Sequence, residues 1–278
     1  MDKREITLGH SPDPDDAFMF YALAADKIDT DGLTFSHVIQ DIETLNRRAM
    51  NAELDVTAVS IHAYAYVLDQ YALLTSGASM GDDYGPLVIS RVPMSTGELR
   101  GAAIAVPGLM TTAYLTLRLC LGDVKTVVVP FDQIMDAVEC GDVDAGLLIH
   151  EGQLTYAARG FNKVIDLGEW WMSETGHPLP LGGNAIRKSL GPEPIAKVSK
   201  LLRESIEYGL ENREVAVRHS MKYGRGMAEA VTDKFVGMYV NERTLDYGPE
   251  GREAVRRLLD MGHKAGIIPQ EARVEFVG

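Results

Sequence analysis

His150 stands at the tip of a short apolar run, residues 145–149, with Glu151 directly after it. An unperturbed imidazole titrates near ~6.5, so at neutral pH it can take a proton from a substrate. A helix opening near Glu151 would favour the neutral, proton-accepting ring, because a helix N-terminus carries partial positive charge. The same position also suits a structural histidine bonded to a backbone carbonyl. A second stretch, Pro107-Gly108-Leu109-Met110-Thr111-Thr112, follows a strand pattern and opens a helix. Free N–H groups at the helix start, a glycine that lets the backbone come close and two hydroxyls together make a carboxylate or phosphate site. Alternatively Thr111 is only an N-cap. Neither the Walker nor the dinucleotide glycine spacing is present. Asp13, Asp15 and Asp16 raise the question of a metal, but Pro12 and Pro14 around them fit a turn and helix start better. With no H-E-x-x-H and no C-x-x-C, neither a metal nor a cofactor is expected. Trp170 and Trp171 read as a packing pair, and no G-x-S-x-G elbow supports nucleophilic catalysis.

The elements that must position these groups alternate. Strand patterns at 6–8, 33–39 and 56–59 are interleaved with helical patterns at 17–25, from the N-cap Asp41, and at 61–68. The order repeats as strands at 102–106, 126–129 and 145–149 with helices at 111–121 and 133–139. This alternation predicts βαβ units and a mainly parallel sheet. The stretch Leu54-Asp55-Val56-Thr57-Ala58 is echoed by Gly141-Asp142-Val143-Asp144-Ala145, which points to two similar α/β halves. After Gly183 the patterns become helical, with Pro192 opening one helix and others near 233–244 and 249–262. The expected architecture is therefore two-lobed. One lobe holds 1–90 and 183–278 and the other 91–182, with crossings near Arg91 and Leu181. Ligands of such sheets bind beyond the carboxyl ends of the strands. That directs attention to 10–16, 60–62, 107–112 and 150–151.

Composition narrows the partners. The 278 residues carry 27 Lys+Arg against 40 Asp+Glu, a net charge of −13, which disfavours nucleic acid but allows a small anion in a locally positive cleft. No apolar run approaches the ~18 residues of a membrane span, and the N-terminus shows no signal-peptide core. Two cysteines, Cys120 and Cys140, make no disulfide framework and read as buried thiols of a cytoplasmic protein.

Several stretches taken together resemble one family. They are Ser11-Pro12-Asp13-Pro14-Asp15-Asp16-Ala17-Phe18-Met19-Phe20-Tyr21, Asp41-Ile42-Glu43-Thr44-Leu45-Asn46, Gly85-Pro86-Leu87-Val88, Val106-Pro107-Gly108 with Thr111-Thr112-Ala113-Tyr114, Leu148-Ile149-His150-Glu151 and Pro178-Leu179-Pro180-Leu181-Gly182. In this order they resemble the 1,4-dihydroxy-6-naphthoate synthases of the futalosine route to menaquinone, across nearly the whole chain. The resemblance implies a fold like type II periplasmic solute-binding proteins. It also implies a lyase that converts cyclic dehypoxanthine futalosine to 1,4-dihydroxy-6-naphthoate and dihydroxyacetone. On that resemblance His150 is the base, Ala58, Val59, Ser60, Thr111 and Thr112 contact the substrate, and Ser11 joins them from the N-terminal signature. Ala58 stands where some members carry a more polar residue. The competing readings are the sister chorismate dehydratase, a plain solute-binding protein, which the missing leader disfavours, and a ligand-sensing effector domain. His10, then His62, are the next candidates for a base.

Overall fold

The computed structural model describes residues 4–278. Its core is two sheets. The first contains β1 (Arg4–His10), β2 (Leu33–Ile39), β3 (Val56–Ser60), β4 (Tyr71–Leu74), β5 (Ser79–Gly81), β11 (Leu179–Arg187) and β12 (Phe276–Val277). The second contains β6 (Leu87–Ser90), β7 (Ile104–Val106), β8 (Thr126–Val128), β9 (Ala145–Leu148) and β10 (Asn162–Asp166). In the first sheet β1 pairs parallel with β2 and β3, and β11 runs antiparallel to β3, β4 and β5. In the second, β7 is parallel to β8 and β9, whereas β6 is antiparallel to both β9 and β10.

Each half is thus a parallel βαβ core extended by antiparallel strands, a mixed sheet where alternation alone predicts a mainly parallel one. The antiparallel members are the strands that carry the chain between sheets. Their direction is set by how the chain passes from one sheet to the other, which no local pattern encodes. The crossings also differ from expectation. β6 falls before residue 90 but sits inside the second sheet. Its Leu87, Val88 and Ile89 are buried, which an interior position between β9 and β10 provides. The chain leaves the first sheet after Gly81 and re-enters it at Leu179, ahead of Leu181.

Apolar periodicity explains the layers. The Pro192–Glu211 helix buries Val198, Leu201, Leu202 and Ile206 against Ile6, Leu8 and Phe18 on one face of the first sheet. The Gly248–Lys264 helix buries Val255, Leu258 and Leu259 with Tyr64, Tyr71 and Trp171 on the other. The second sheet is covered by the Thr112–Leu121 helix on one face and the Ile134–Cys140 helix on the other. Trp171 is fully buried, its indole N–H donating to the Pro178 carbonyl at 3.1 Å, so the tryptophan pair packs as predicted.

Several helices are shorter than their patterns. The 17–25 pattern is two turns, Pro14–Met19 and Tyr21–Ala24, and the 61–68 pattern is only Ile61–Tyr64. The 233–244 pattern splits into Glu229–Tyr239 and Glu242–Leu245. The thiols are a correction as well. Cys120 is half-buried and Cys140 is exposed, because residue 140 ends its helix on the outer side. Among the described residues no helix is long and apolar enough to cross a membrane.

Candidate active site

The carboxyl ends of β1, β3, β7 and β9 converge on one cleft between the sheets. It spans about 760 Å³, counting the part open to solvent. Ser11, Ala58, Val59, Ser60, Thr111, Thr112 and His150 all line it. The structure therefore brings all seven residues expected to contact the substrate or act on it to one wall or another of a single space. It adds Asp13, Asp15 and Asp16 from the first turn after β1, Asn184 from β11, Gln153, and Phe235 and Tyr239 from the Glu229–Tyr239 helix.

At one end is His150. Its backbone sits in the left-handed region at φ 64°, an uncommon conformation for a residue other than glycine, and its Nδ1 meets the Asp13 carboxylate at 2.8 Å. Asp13 is 3% exposed, and its other oxygen accepts from the Arg225 guanidinium at 3.0 Å. A carboxylate can only accept here, so Nδ1 carries the proton and Nε2 keeps the lone pair. Nε2 is buried with no partner in the protein. The Phe131 ring packs edge-on against the imidazole, centroids 4.5 Å apart.

Two expectations change at this point. The helix start lies where expected, with Asp15 and Asp16 in its first turn, but Asp13 does not cap it. Asp13 occupies the N-cap position of the Pro14–Met19 helix but its side chain makes no capping bond and turns to His150 instead. Nor is the imidazole held down by a following helix. That helix is a single turn, Gly152–Thr155. Burial does push the His150 pKa down, but the Asp13 charge and hydrogen bond, aided by Glu151 and Asp15, outweigh it, and the net shift is upward. A carboxylate in contact outweighs one turn of partial dipole.

The neighbouring carboxyls behave oppositely to Asp13. Burial opposes ionisation of Asp13, but His150 and Arg225 beside it hold the carboxyl well below the usual carboxylate range. Asp16, which accepts from the Ser11 N–H at 2.6 Å, is pushed up to about 6 by burial and by the Asp13 charge, against the Ser11 hydrogen bonds. Asp15 is driven well above the ordinary value by burial and by the charges of Asp16 and Asp13. Of the three, Asp13 holds its charge most firmly, Asp16 keeps most of its charge at neutral pH, and Asp15 is biased to its neutral form.

At the other end is the start of the Thr112–Leu121 helix. The Thr111 hydroxyl accepts from the Tyr114 N–H at 3.2 Å and donates to the Gly108 carbonyl at 2.9 Å. The Thr112 hydroxyl donates to the Leu181 carbonyl at 2.6 Å and accepts from the His62 N–H at 3.2 Å. Both hydroxyls expected to greet a ligand are thus committed to the fold. The donors left for an anion are the first-turn N–H groups of Thr112 and Ala113, which a helix leaves without internal acceptors. Ser60 faces them, held by Asn46, whose side-chain oxygen accepts from the Ser60 N–H at 2.9 Å and whose Nδ2 donates to the Ser60 hydroxyl oxygen at 3.0 Å. Its hydroxyl proton stays available. The 107–111 loop is pinned from the first sheet by Glu43, which accepts from the Met110 N–H at 3.1 Å. A Cβ on residue 108 would lie 2.3 Å from that carboxylate, so any other residue would push Glu43 off its bond to Met110.

Neither alternative base lines the cleft, although His62 Nε2 is also buried without a partner. His10 uses Nδ1 on the Ser11 carbonyl and Nε2 on His37, at 3.0 and 3.1 Å. His62 turns Nδ1 to the Thr111 carbonyl at 3.3 Å, and burial drives its pKa to about 4. Sequence reasoning missed Arg225, Gln153, Tyr239 and the pairing role of Asp13. Only the Asp13 signal was present, as a carboxylate more than the turn needed. No set of three or more His, Cys, Asp or Glu side chains among the described residues is arranged to hold a metal ion.

Comparison with known proteins places this geometry. Residues 6–264 match the model of a family described as menaquinone biosynthesis. A Thermus thermophilus protein named 1,4-dihydroxy-6-naphthoate synthase is 39% identical over 98% of this chain and 99% of its own length. A Streptomyces coelicolor protein of the same name is 38% identical over 95% of each. The crystal structure of an Archaeoglobus fulgidus protein superposes with a TM-score of 0.91 at 47% identity, covering 95% of this chain and 98% of that one. An alkanesulfonate-binding protein of Xanthomonas axonopodis, bound to MOPS, shares the fold at a TM-score of 0.74 and 10% identity, over 99% and 97% of the two chains. The periplasmic-binding-protein architecture expected from the sequence is therefore the architecture found.

Proposed function

For a chain that belongs to the menaquinone-biosynthesis family, among relatives named 1,4-dihydroxy-6-naphthoate synthase, we propose the same activity. It is cleavage of cyclic dehypoxanthine futalosine to 1,4-dihydroxy-6-naphthoate and dihydroxyacetone, with His150 as the base. The observation that carries this reading is the unpartnered, buried Nε2 of His150 on the wall of the cleft, its Nδ1 proton fixed on Asp13.

The chemistry follows from the two ends. The naphthoate carboxylate would lie against the N–H groups of Thr112 and Ala113 and the Ser60 hydroxyl, with Ala58 and Val59 forming the floor through backbone and apolar surface. Ser11 would border the opposite end. With the ring anchored there, the three-carbon fragment lies toward His150. Nε2 takes a proton, the C–C bond to the fragment breaks, and the remaining ring becomes aromatic. Asp13 stabilises the imidazolium as it forms and keeps the ring in the tautomer able to accept. A positioned base supplies about 10²–10⁴-fold, and the oriented binding supplies the rest. No cofactor is needed for this step. The two bodies built on the sheets, residues 4–81 with 179–278 and residues 87–166, act as lobes that close over the substrate, and the enzyme works in the cytoplasm.

The test is His150→Asn, which keeps polarity but cannot take up the proton. Turnover of cyclic dehypoxanthine futalosine should fall by about 10²-fold or more while product binding, followed by calorimetry, stays near normal. Turnover close to that of the unsubstituted enzyme would assign the base elsewhere.

A further inference from the structure

The contacts that close the His150 end of the cleft come from a loop that belongs to neither sheet. Arg225 lies in Gly224-Arg225-Gly226, with its own backbone in the left-handed region at φ 48°. Its guanidinium reaches both sides of the cleft. One nitrogen donates to both oxygens of Glu151, each at 2.7 Å, and the other to Asp13 at 3.0 Å and to the Pro12 carbonyl at 3.2 Å. The same group stacks 4.8 Å above the Phe131 ring, whose other contact is the His150 imidazole. Glu151, Phe131 and His150 follow strands of the second sheet, whereas Asp13 follows β1 of the first.

We propose that Arg225 is a positioning residue, a clasp whose planar fork ties Glu151 and Phe131 of one lobe to Asp13 of the other. The Asp13–His150 contact then forms only when the cleft is shut. The proposal deepens the reading of His150 as base and rests on it. Chemically the arrangement needs arginine. Lysine is a single point charge and cannot reach two carboxylates from two separate nitrogens while lying flat on a ring. Asp13, Glu151 and Arg225 together leave one net negative charge beside a neutral imidazole, which the proton taken up by His150 cancels. The other groups facing His150 are Asp15, biased to its neutral form, Asp16, whose carboxyl is pushed up only to about 6 and adds further negative charge at neutral pH, and the uncharged Phe131. The shut cluster is therefore matched to the protonated base rather than to the resting one, and closure is coupled to the step in which the base works.

The experiment uses the full-length enzyme with Arg225→Gln, Arg225→Lys, Glu151→Gln and the Arg225→Gln/Glu151→Gln pair. If the clasp positions Asp13, Arg225→Gln lowers kcat at least 10-fold. It also moves the acidic limb of kcat/KM downward, toward an ordinary imidazole, because the carboxylate partner is no longer held. Arg225→Lys recovers part of kcat. Glu151→Gln, which leaves Asp13 and its loop intact, reproduces the loss, and the double variant is no worse than the poorer single one. An acidic limb that stays put or moves upward, the latter being the result of simply deleting a cation near Asp13, overturns the proposal, as do losses that multiply in the double variant. Small-angle scattering with 1,4-dihydroxy-6-naphthoate bound reads closure independently of turnover. Arg225→Gln and Glu151→Gln should be more expanded than the unsubstituted protein, and identical profiles would refute the clasp. Should His150→Asn keep its turnover, the base reading fails and the positioning role fails with it. The scattering then still decides whether Arg225 holds the lobes together.

Discussion

Replacing Asp13 by Asn tests the centre of the site most sharply. The carboxylate is 3% exposed and 2.8 Å from Nδ1 of His150, with Arg225 behind it at 3.0 Å. A buried hydrogen bond to a charged group is worth about 1.5–3 kcal/mol, and each pKa unit corresponds to ~1.4 kcal/mol. Loss of the charge should therefore lower the His150 pKa by roughly one to two units. Arg225 remains and adds to the downward push. The sign follows from the base mechanism. Activity requires the neutral ring, so the acidic limb of kcat/KM tracks this pKa and should move to lower pH by the same interval. The rate above the limb should fall as well. The Asn amide can rotate and donate to Nδ1, which places the proton on Nε2, the nitrogen that must accept. By this route about 10²–10⁴-fold of base catalysis is at stake. The assay is product formation from cyclic dehypoxanthine futalosine between about pH 5 and 9, which spans the range where an imidazole titrates, with the His150 ring proton followed by NMR in parallel. A limb that stays in place, or an NMR titration that moves upward, would show that Asp13 does not set the state of the ring and would refute the dyad.

Two further outcomes follow from the same contacts. Thr111→Val removes the N-cap of the Thr112–Leu121 helix and the bond to Gly108, so about 1–2 kcal/mol of stability and a melting temperature lower by several degrees are expected. Product affinity should persist because the first-turn N–H groups remain; a lost affinity at unchanged stability would return the hydroxyl to the substrate. Acid stability should reflect His62, 2% exposed with its pKa driven by burial to about 4. Below its ordinary value near ~6.5 the unfolded chain binds the proton and the folded one does not, so stability falls as pH drops toward 4, by on the order of 3 kcal/mol for this group. Thermal melts at several pH values should show a shallower decline for His62→Gln, and parallel declines would contradict the assignment.

What the sequence settled by itself was local. Strand tips and helix starts are written in short-range patterns, and in parallel βαβ units those tips face one side, so Ser11, Ser60, Thr111 and His150 could be expected around one cleft before any coordinates. The N-cap alternative for Thr111 was equally legible, because a capping hydroxyl and a ligand-binding one look alike in a sequence. Tertiary structure decided everything that depends on two distant segments meeting. The antiparallel insertion of β6 and β11 follows from where the chain passes between the two sheets and moves the lobe boundaries. Asp13 and His150 are 137 positions apart and Arg225 lies in a loop after the helical region, so their contact has no local signature. The direction of the His150 shift turned on that contact. A helix start can be foreseen from its capping residues, but a buried carboxylate arriving from the other lobe cannot, and together with Glu151 and Asp15 it outweighs the loss of solvent.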